Sequence, residues 1–241
     1  MPKLNLEKGK EALKLVLQKK GITTVPSADL AFVLDVSGSF RGEHNDGTTQ
    51  TLLERLVPWG MLFDPDQKLD VFTFSDGEEN AYHVGDITPD TCDGYIENNI
   101  INAVPGYGGC TDYSYVLEAV LKNFGWIAEK QGFMSKLFGG ANKPAEKRRS
   151  IVLFITDGSN TDHARCQKVL EDSQNRGDEV YFLFIGIGAG HGDFPFLVRM
   201  ADKFANTGLV IIKNLKNFVK QTDEQISEEF VGDELITWLK K

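Results

Sequence analysis

The strongest constraint on this chain is a repeated pattern, a short run of consecutive apolar residues that stops at oxygen-bearing side chains. In Asp29–Phe40, DLAFVLDVSGSF, the run Ala31–Leu34 is continuous rather than alternating, as in a strand buried on both faces of a parallel sheet. It ends in Asp35, Ser37, Gly38 and Ser39. The alternation of Asp35, Ser37 and Ser39 puts all three on one side of an extended or gently turning backbone, and Gly38 permits a tight turn between the serines. Ser150–Asn160, SIVLFITDGSN, repeats the pattern, with Ile151–Ile155 ending in Thr156, Asp157 and Gly158. Between them Gly106–Asp112, GYGGCTD, forms a glycine-rich loop that carries Thr111 and leads into helix-like sequence.

Open α/β sheets bind ligands at the C-terminal ends of their strands. Three loops can therefore converge at one sheet edge through Asp35, Ser37, Ser39, Thr111 and Asp157. Carboxylate and hydroxyl oxygens are hard donors, suited to Mg²⁺ or Ca²⁺ and poor for zinc or copper.

D-x-S-x-S, a separated threonine in a GG-x-T context and a later strand ending ITDG together resemble the metal-ion-dependent adhesion site of von Willebrand factor A (vWA) domains. The resemblance covers Ser27 to the last helix. The segment SGSFRGEHNDGTTQ, ending in Gly-x-x-Gln, is most similar to bacterial tellurium-resistance-associated vWA proteins. The resemblance implies Asp35, Ser37 and Ser39 as ligands from the first loop, Thr111 from the second and Asp157 from the third. The implied ion is Mg²⁺, with Ca²⁺ or Mn²⁺ as substitutes. It further implies a binding or scaffold module in a bacterial or phage-borne tellurite or stress response. The partner would be a protein presenting Asp or Glu to the metal.

Apolar runs separated mostly by amphipathic helices point to a doubly wound α/β sheet with helices on both faces. The resemblance supplies a six-stranded, mostly parallel sheet in the order 3-2-1-4-5-6, with strand 3 antiparallel. Residues 1–26 read as an N-terminal helical extension and residues 27–241 as the vWA-like domain, with an inserted loop at 131–149. That insertion holds an apolar patch at Phe133, Met134, Leu137 and Phe138 and the cations Lys143, Lys147, Arg148 and Arg149. A formal net charge of −9 opposes a nucleic-acid surface or an anionic membrane. No run approaches the roughly 20 apolar residues of a membrane span. Cys92, Cys110 and Cys166 lack close pair spacing, which speaks against a disulfide framework. With no signal-like segment at Met1–Lys20, a cytoplasmic setting is expected.

Periodicity and turn chemistry set the local expectations. Helices are predicted over Leu6–Gly21, Thr48–Phe63, Thr88–Asn99, Asp162–Arg176, Phe194–Ala205 and Asp223–Lys241, and Leu117, Val120, Leu121, Phe124 and Ala128 form the buried stripe of another. Arg41–Gly47 reads as a polar loop in which His44 is more simply a solvated histidine than a hydrogen-bonding neighbour of the site. Asp76-Gly77 marks a hairpin. Tyr107 either packs over the site or reaches a partner, and Cys110 reads as a buried small hydrophobe. The alternative function is a metal-dependent hydrolase or phosphatase using Asp35. Against it, phosphoaspartate enzymes carry D-x-D at this strand end where this chain has Ser37. Ser39 with His44 or His163 and Asp157 likewise lacks a nucleophile-elbow pattern.

Overall fold

A computed structural model describes residues 6–128 and 147–241. The Phe133–Phe138 patch, Lys143 and most of the 131–149 insertion lie outside the described residues.

Strands β1 (Asp29–Asp35), β2 (Leu69–Phe74), β3 (Tyr82–Ile87), β4 (Ser150–Thr156), β5 (Val180–Ile187) and β6 (Thr207–Ile212) form one sheet. Their order is β3-β2-β1-β4-β5-β6, with β3 antiparallel to β2 and the other neighbours parallel. The two central strands, β1 and β4, are buried at every position, which is why their sequences are continuous rather than alternating. Successive β1 side chains still point to opposite faces. Leu30, Phe32 and Leu34 enter one apolar cluster and Ala31 and Val33 the other.

The first cluster is closed by α1 (Leu6–Lys19), α3 (Thr48–Phe63), α4 (Tyr95–Asn99), α8 (Leu215–Phe218), α9 (Asp223–Phe230) and α10 (Asp233–Leu239). On the second face lie α5 (Ser114–Asn123), α6 (His163–Arg176) and α7 (Pro195–Lys203). α1 approaches α3 closely because Gly9 has no side chain; a Cβ there would lie 2.7 Å from Pro58 Cγ.

Four local expectations are corrected. Arg41–Asn45 is a short helix, α2, rather than a loop. The helix expected from Thr88 starts only at Tyr95, after Gly94 takes a positive φ of 68°; before it Thr88 and Thr91 close a turn through their hydroxyls. The C-terminal helix is two helices, interrupted at Val231 and Gly232, where Lys20 Nζ donates to the Val231 carbonyl at 2.5 Å. Ala128 is exposed, since the α5 stripe ends at Phe124.

The cations before β4 sit at the strand's N-terminal end, away from the candidate ligand loops. Arg148 pairs with Asp29 at 2.5 Å, and Arg149 lies over Trp238, 4.2 Å from its ring centre.

Candidate functional site

Parallel pairing sets the C-terminal ends of β1 and β4 side by side, with Leu34 opposite Ile155. The loops that leave these two ends meet the glycine-rich second loop, which lies between α4 and α5. Ser37 N donates to Asp35 Oδ1 at 2.8 Å, which curls the first loop back over the strand end. Ser37 Oγ and Ser39 Oγ are 3.3 Å apart, and Ser39 Oγ donates to Asp157 Oδ1 at 2.8 Å. Two backbone hydrogen bonds tie the second loop to the first: Gly38 N donates to Gly109 O at 2.9 Å, and Gly108 N to Val36 O at 2.7 Å. Thr111 O accepts from Thr161 N at 3.0 Å, and Thr111 Oγ1 lies 4.0 Å from where a Cβ on Gly158 would be. Asp35, Ser37, Ser39, Thr111 and Asp157 are thus gathered at one edge of the sheet.

The electrostatics of this group are unusual. Asp35 is wholly buried, and burial pushes its carboxyl up to about 6, against hydrogen bonds from Ser37 and Thr156. Burial also raises Asp157, with Glu43 adding repulsion. Among the described residues no Lys, Arg or His forms an ion pair with either carboxylate. Buried carboxylates usually have a counter-charge. Among the described residues no group of three or more His, Cys, Asp and Glu is arranged to hold a metal ion. What converges here is a set of hydroxyls backed by two carboxylates. That all-oxygen donor set fits a hard divalent cation.

Asp35 is poorly placed for covalent chemistry. One of its oxygens accepts from Ser37 N and the other from Thr156 Oγ1 at 2.7 Å, and no part of the residue reaches solvent.

Several supporting residues carry little signal in the sequence. Thr156 is one. Another is Tyr113, whose buried hydroxyl donates to the Gly158 carbonyl. Asp162 accepts from Tyr113 N at 3.1 Å and Ser114 N at 2.8 Å, so it holds the start of α5. Asp76, passed over as a hairpin residue, accepts from Cys110 N at 2.9 Å and anchors the second loop.

His44 is buried rather than solvated. Its Nε2 hydrogen bonds the Asp35 carbonyl at 3.0 Å and its Nδ1 meets Thr49 Oγ1 at 3.0 Å. Burial holds its pKa down to about 4, so the ring is neutral at ordinary pH. Cys110 is exposed, since the loop holding it is pinned by backbone hydrogen bonds rather than by side-chain burial. His163 stacks on Phe196 with ring centres 4.6 Å apart.

Residues 27–241 match the family described as vWA-TerF-like, the vWA found in the TerF C terminus. The chain belongs to that family. This vWA-TerF-like chain is also 27% identical over 241 residues to the uncharacterized protein YcbR of Bacillus subtilis strain 168, covering 96% of this chain and 85% of YcbR. Among solved structures, proximal thread matrix protein 1 of the mussel byssus is 19% identical, with a TM-score of 0.52 over 85% of this chain and 46% of that one. A form of the same byssal protein with a zinc-occupied MIDAS motif aligns with a TM-score of 0.53 at 20% identity, over 86% and 48% of the two chains. The pilus adhesin SpaC of Lactobacillus rhamnosus GG gives 0.52 at 11% identity, over 86% and 31%. The chain thus spans less than half of these solved chains, and at such identities the likeness is one of fold.

The cytoplasmic expectation is not carried forward: the solved structures that share this fold are named for a byssal thread and a pilus, structures outside the cell. Among the described residues no helix is long and apolar enough to cross a membrane.

Proposed function

We propose that this vWA-TerF-like chain is a protein-interaction module whose contact surface depends on one divalent cation, Mg²⁺ by preference and Ca²⁺ or Mn²⁺ as substitutes. The observation that carries the reading is the pair Asp35 and Asp157, buried or half-buried, without a basic partner among the described residues, and set against the hydroxyls of Ser37, Ser39 and Thr111. Ser37, Ser39 and Thr111 would hold the ion. Asp157 would neutralise part of its charge, and Asp35 would orient Ser37 from beneath. When bound, the ion supplies positive charge beside open coordination positions, which an Asp or Glu of another protein can take.

The chain's own residues keep this group of oxygens in shape. Asp35 fixes the Ser37 amide, Thr156 fixes Asp35, and His44 holds the Asp35 carbonyl. With a net charge of −9, long-range attraction does not favour an acidic partner, so recognition rests on the local cation. We extend the proposal to a role in a tellurite or stress response, which follows from the resemblance to tellurium-resistance-associated vWA proteins and is in keeping with the match to the vWA-TerF-like family. Deleting the gene should lower tolerance; unchanged tolerance would remove that role and leave the binding role intact.

Calorimetry tests the metal. One divalent site is expected in the wild type and none in Asp35→Ala or Thr111→Ala, with circular dichroism confirming that each variant is folded. Unchanged stoichiometry in folded variants would overturn the assignment.

A further inference from the structure

We propose that Arg41 is a second anchor for the acidic partner, so that the surface reads two carboxylates, one at the hydroxyls of Ser37, Ser39 and Thr111 and one at the guanidinium. The inference rests on the metal-dependent reading above and names the chemistry of its partner more narrowly.

Arg41 stands two residues beyond Ser39, at the start of α2, and its side chain is exposed. It folds across the second loop, with its guanidinium carbon 5.2 Å from the ring centre of Tyr107. Gly108 makes room for it. A Cβ at that position would lie 3.3 Å from Arg41 Nη1, and Gly108 has a positive φ of 90° that a side chain would also resist. The carbonyl of Gly108 in turn lies 3.2 Å from where a Cβ on Gly38 would be, and Gly38 separates Ser37 from Ser39. The guanidinium therefore lies one peptide unit away from the loop that carries the two serines.

Among the described residues no carboxylate pairs with Arg41. Three acids of the neighbouring loops are engaged in holding them, while Glu43, two residues from Arg41, adds repulsion at Asp157 without pairing with Arg41. Asp76 accepts from Cys110 N, Asp112 from Gly77 N at 3.1 Å and Thr161 Oγ1 at 2.6 Å, and Asp162 from the start of α5. A planar fork of donors, steadied on an aromatic ring and left without an internal acceptor, suits bidentate capture of an incoming carboxylate. An ammonium could not stack in the same way, so lysine is an incomplete substitute.

The test uses the full chain, Mg²⁺, and two capped peptides, acetyl-Glu-Gly-Gly-Glu-amide and acetyl-Gln-Gly-Gly-Glu-amide, titrated by NMR. Wild type should bind the diacid about fivefold more tightly than the monoacid, in the range of a well-oriented exposed ion pair. Arg41→Ala should erase that preference while leaving the Mg²⁺ titration unchanged, and Arg41→Lys should recover part of it. A preference that survives Arg41→Ala, or equal affinities in the wild type with Mg²⁺ binding intact, overturns the role of Arg41 alone. Failure of the wild type to bind Mg²⁺ overturns this inference together with the reading on which it rests.

Discussion

Thr156 and Asp35 join the ends of the two central strands: the threonine hydroxyl donates to Asp35 Oδ2 at 2.7 Å, and neither residue is exposed. The bond satisfies a carboxylate oxygen that water cannot reach. Thr156→Val keeps the volume and removes the donor, leaving that oxygen unpaired at a cost of about 1–3 kcal/mol. Thr156→Ser should retain most of the stability. Urea denaturation of the three proteins reads the difference, and a valine variant as stable as wild type would contradict the role given to this hydroxyl.

Asp64, at the end of α3, predicts a pH dependence. Its side chain is buried, and burial pushes its carboxyl from 3.8 up to about 6, although its Oδ1 accepts from Asp66 N at 2.7 Å. Between those values the folded protein holds a proton that the unfolded chain has released. The contribution is therefore full below about 3.8, is lost as pH rises through about 6, and stays lost above it. Asp64→Asn keeps the acceptor without the charge. It should be more stable than wild type by about 1–3 kcal/mol at pH 8 and lose that advantage near pH 4. Melting curves across this range check it, and an advantage independent of pH would point to another cause.

Two glycines separate a required residue from a tolerant one. Gly106 has a φ of 68°, and a Cβ there would lie 2.1 Å from Ser75 Oγ and 2.8 Å from Asn80 Cβ. Gly106→Ala should destabilise by about 2 kcal/mol or more and disturb the loop that carries Thr111. At Gly192 a Cβ would meet nothing within 4 Å, and Gly192→Ala should be neutral within about 0.5 kcal/mol. Thermal denaturation ranks the pair, and equal stabilities would refute the contrast.

Cation binding to the folded chain should raise its stability. At a Mg²⁺ concentration about 100 times Kd, the gain is about 2.7 kcal/mol. Ser39→Ala removes one hydroxyl and its bond to Asp157 without touching the core, and should abolish most of the Mg²⁺-dependent shift. Differential scanning calorimetry with Mg²⁺ and with EDTA measures it. A shift of the same size in the variant would place the ion elsewhere.

The sheet was legible because burial on both faces leaves a sequence imprint. The unbroken runs Ala31–Leu34 and Ile151–Ile155 mark the two central strands, and the oxygen-bearing residues after them mark the same edge. The gathering of Asp35, Ser37, Ser39 and Asp157 was legible for the same reason, since parallel strands deliver their ends together, whereas Thr111, in the loop between α4 and α5, was legible only through the resemblance. His44 was not, because a buried polar ring in a short helix looks like any loop histidine until the Asp35 carbonyl is seen to reach it. Helix ends were misread where a single glycine decided them. Gly94 delays α4, and Gly232 lies in the break between α9 and α10, which the apolar spacing through Trp238 conceals.

The pair of backbone hydrogen bonds between Gly38 and Gly109 and between Gly108 and Val36 also bears on kinetics. They join two loops that lie beyond the strand ends, so each loop is held in place by the other in the folded chain before any ligand arrives. The entropy of arranging the hydroxyls is then met during folding rather than at the moment of capture. Ligand arrival should accordingly be fast and single-phased, limited by shedding of hydration water rather than by rearrangement of the chain.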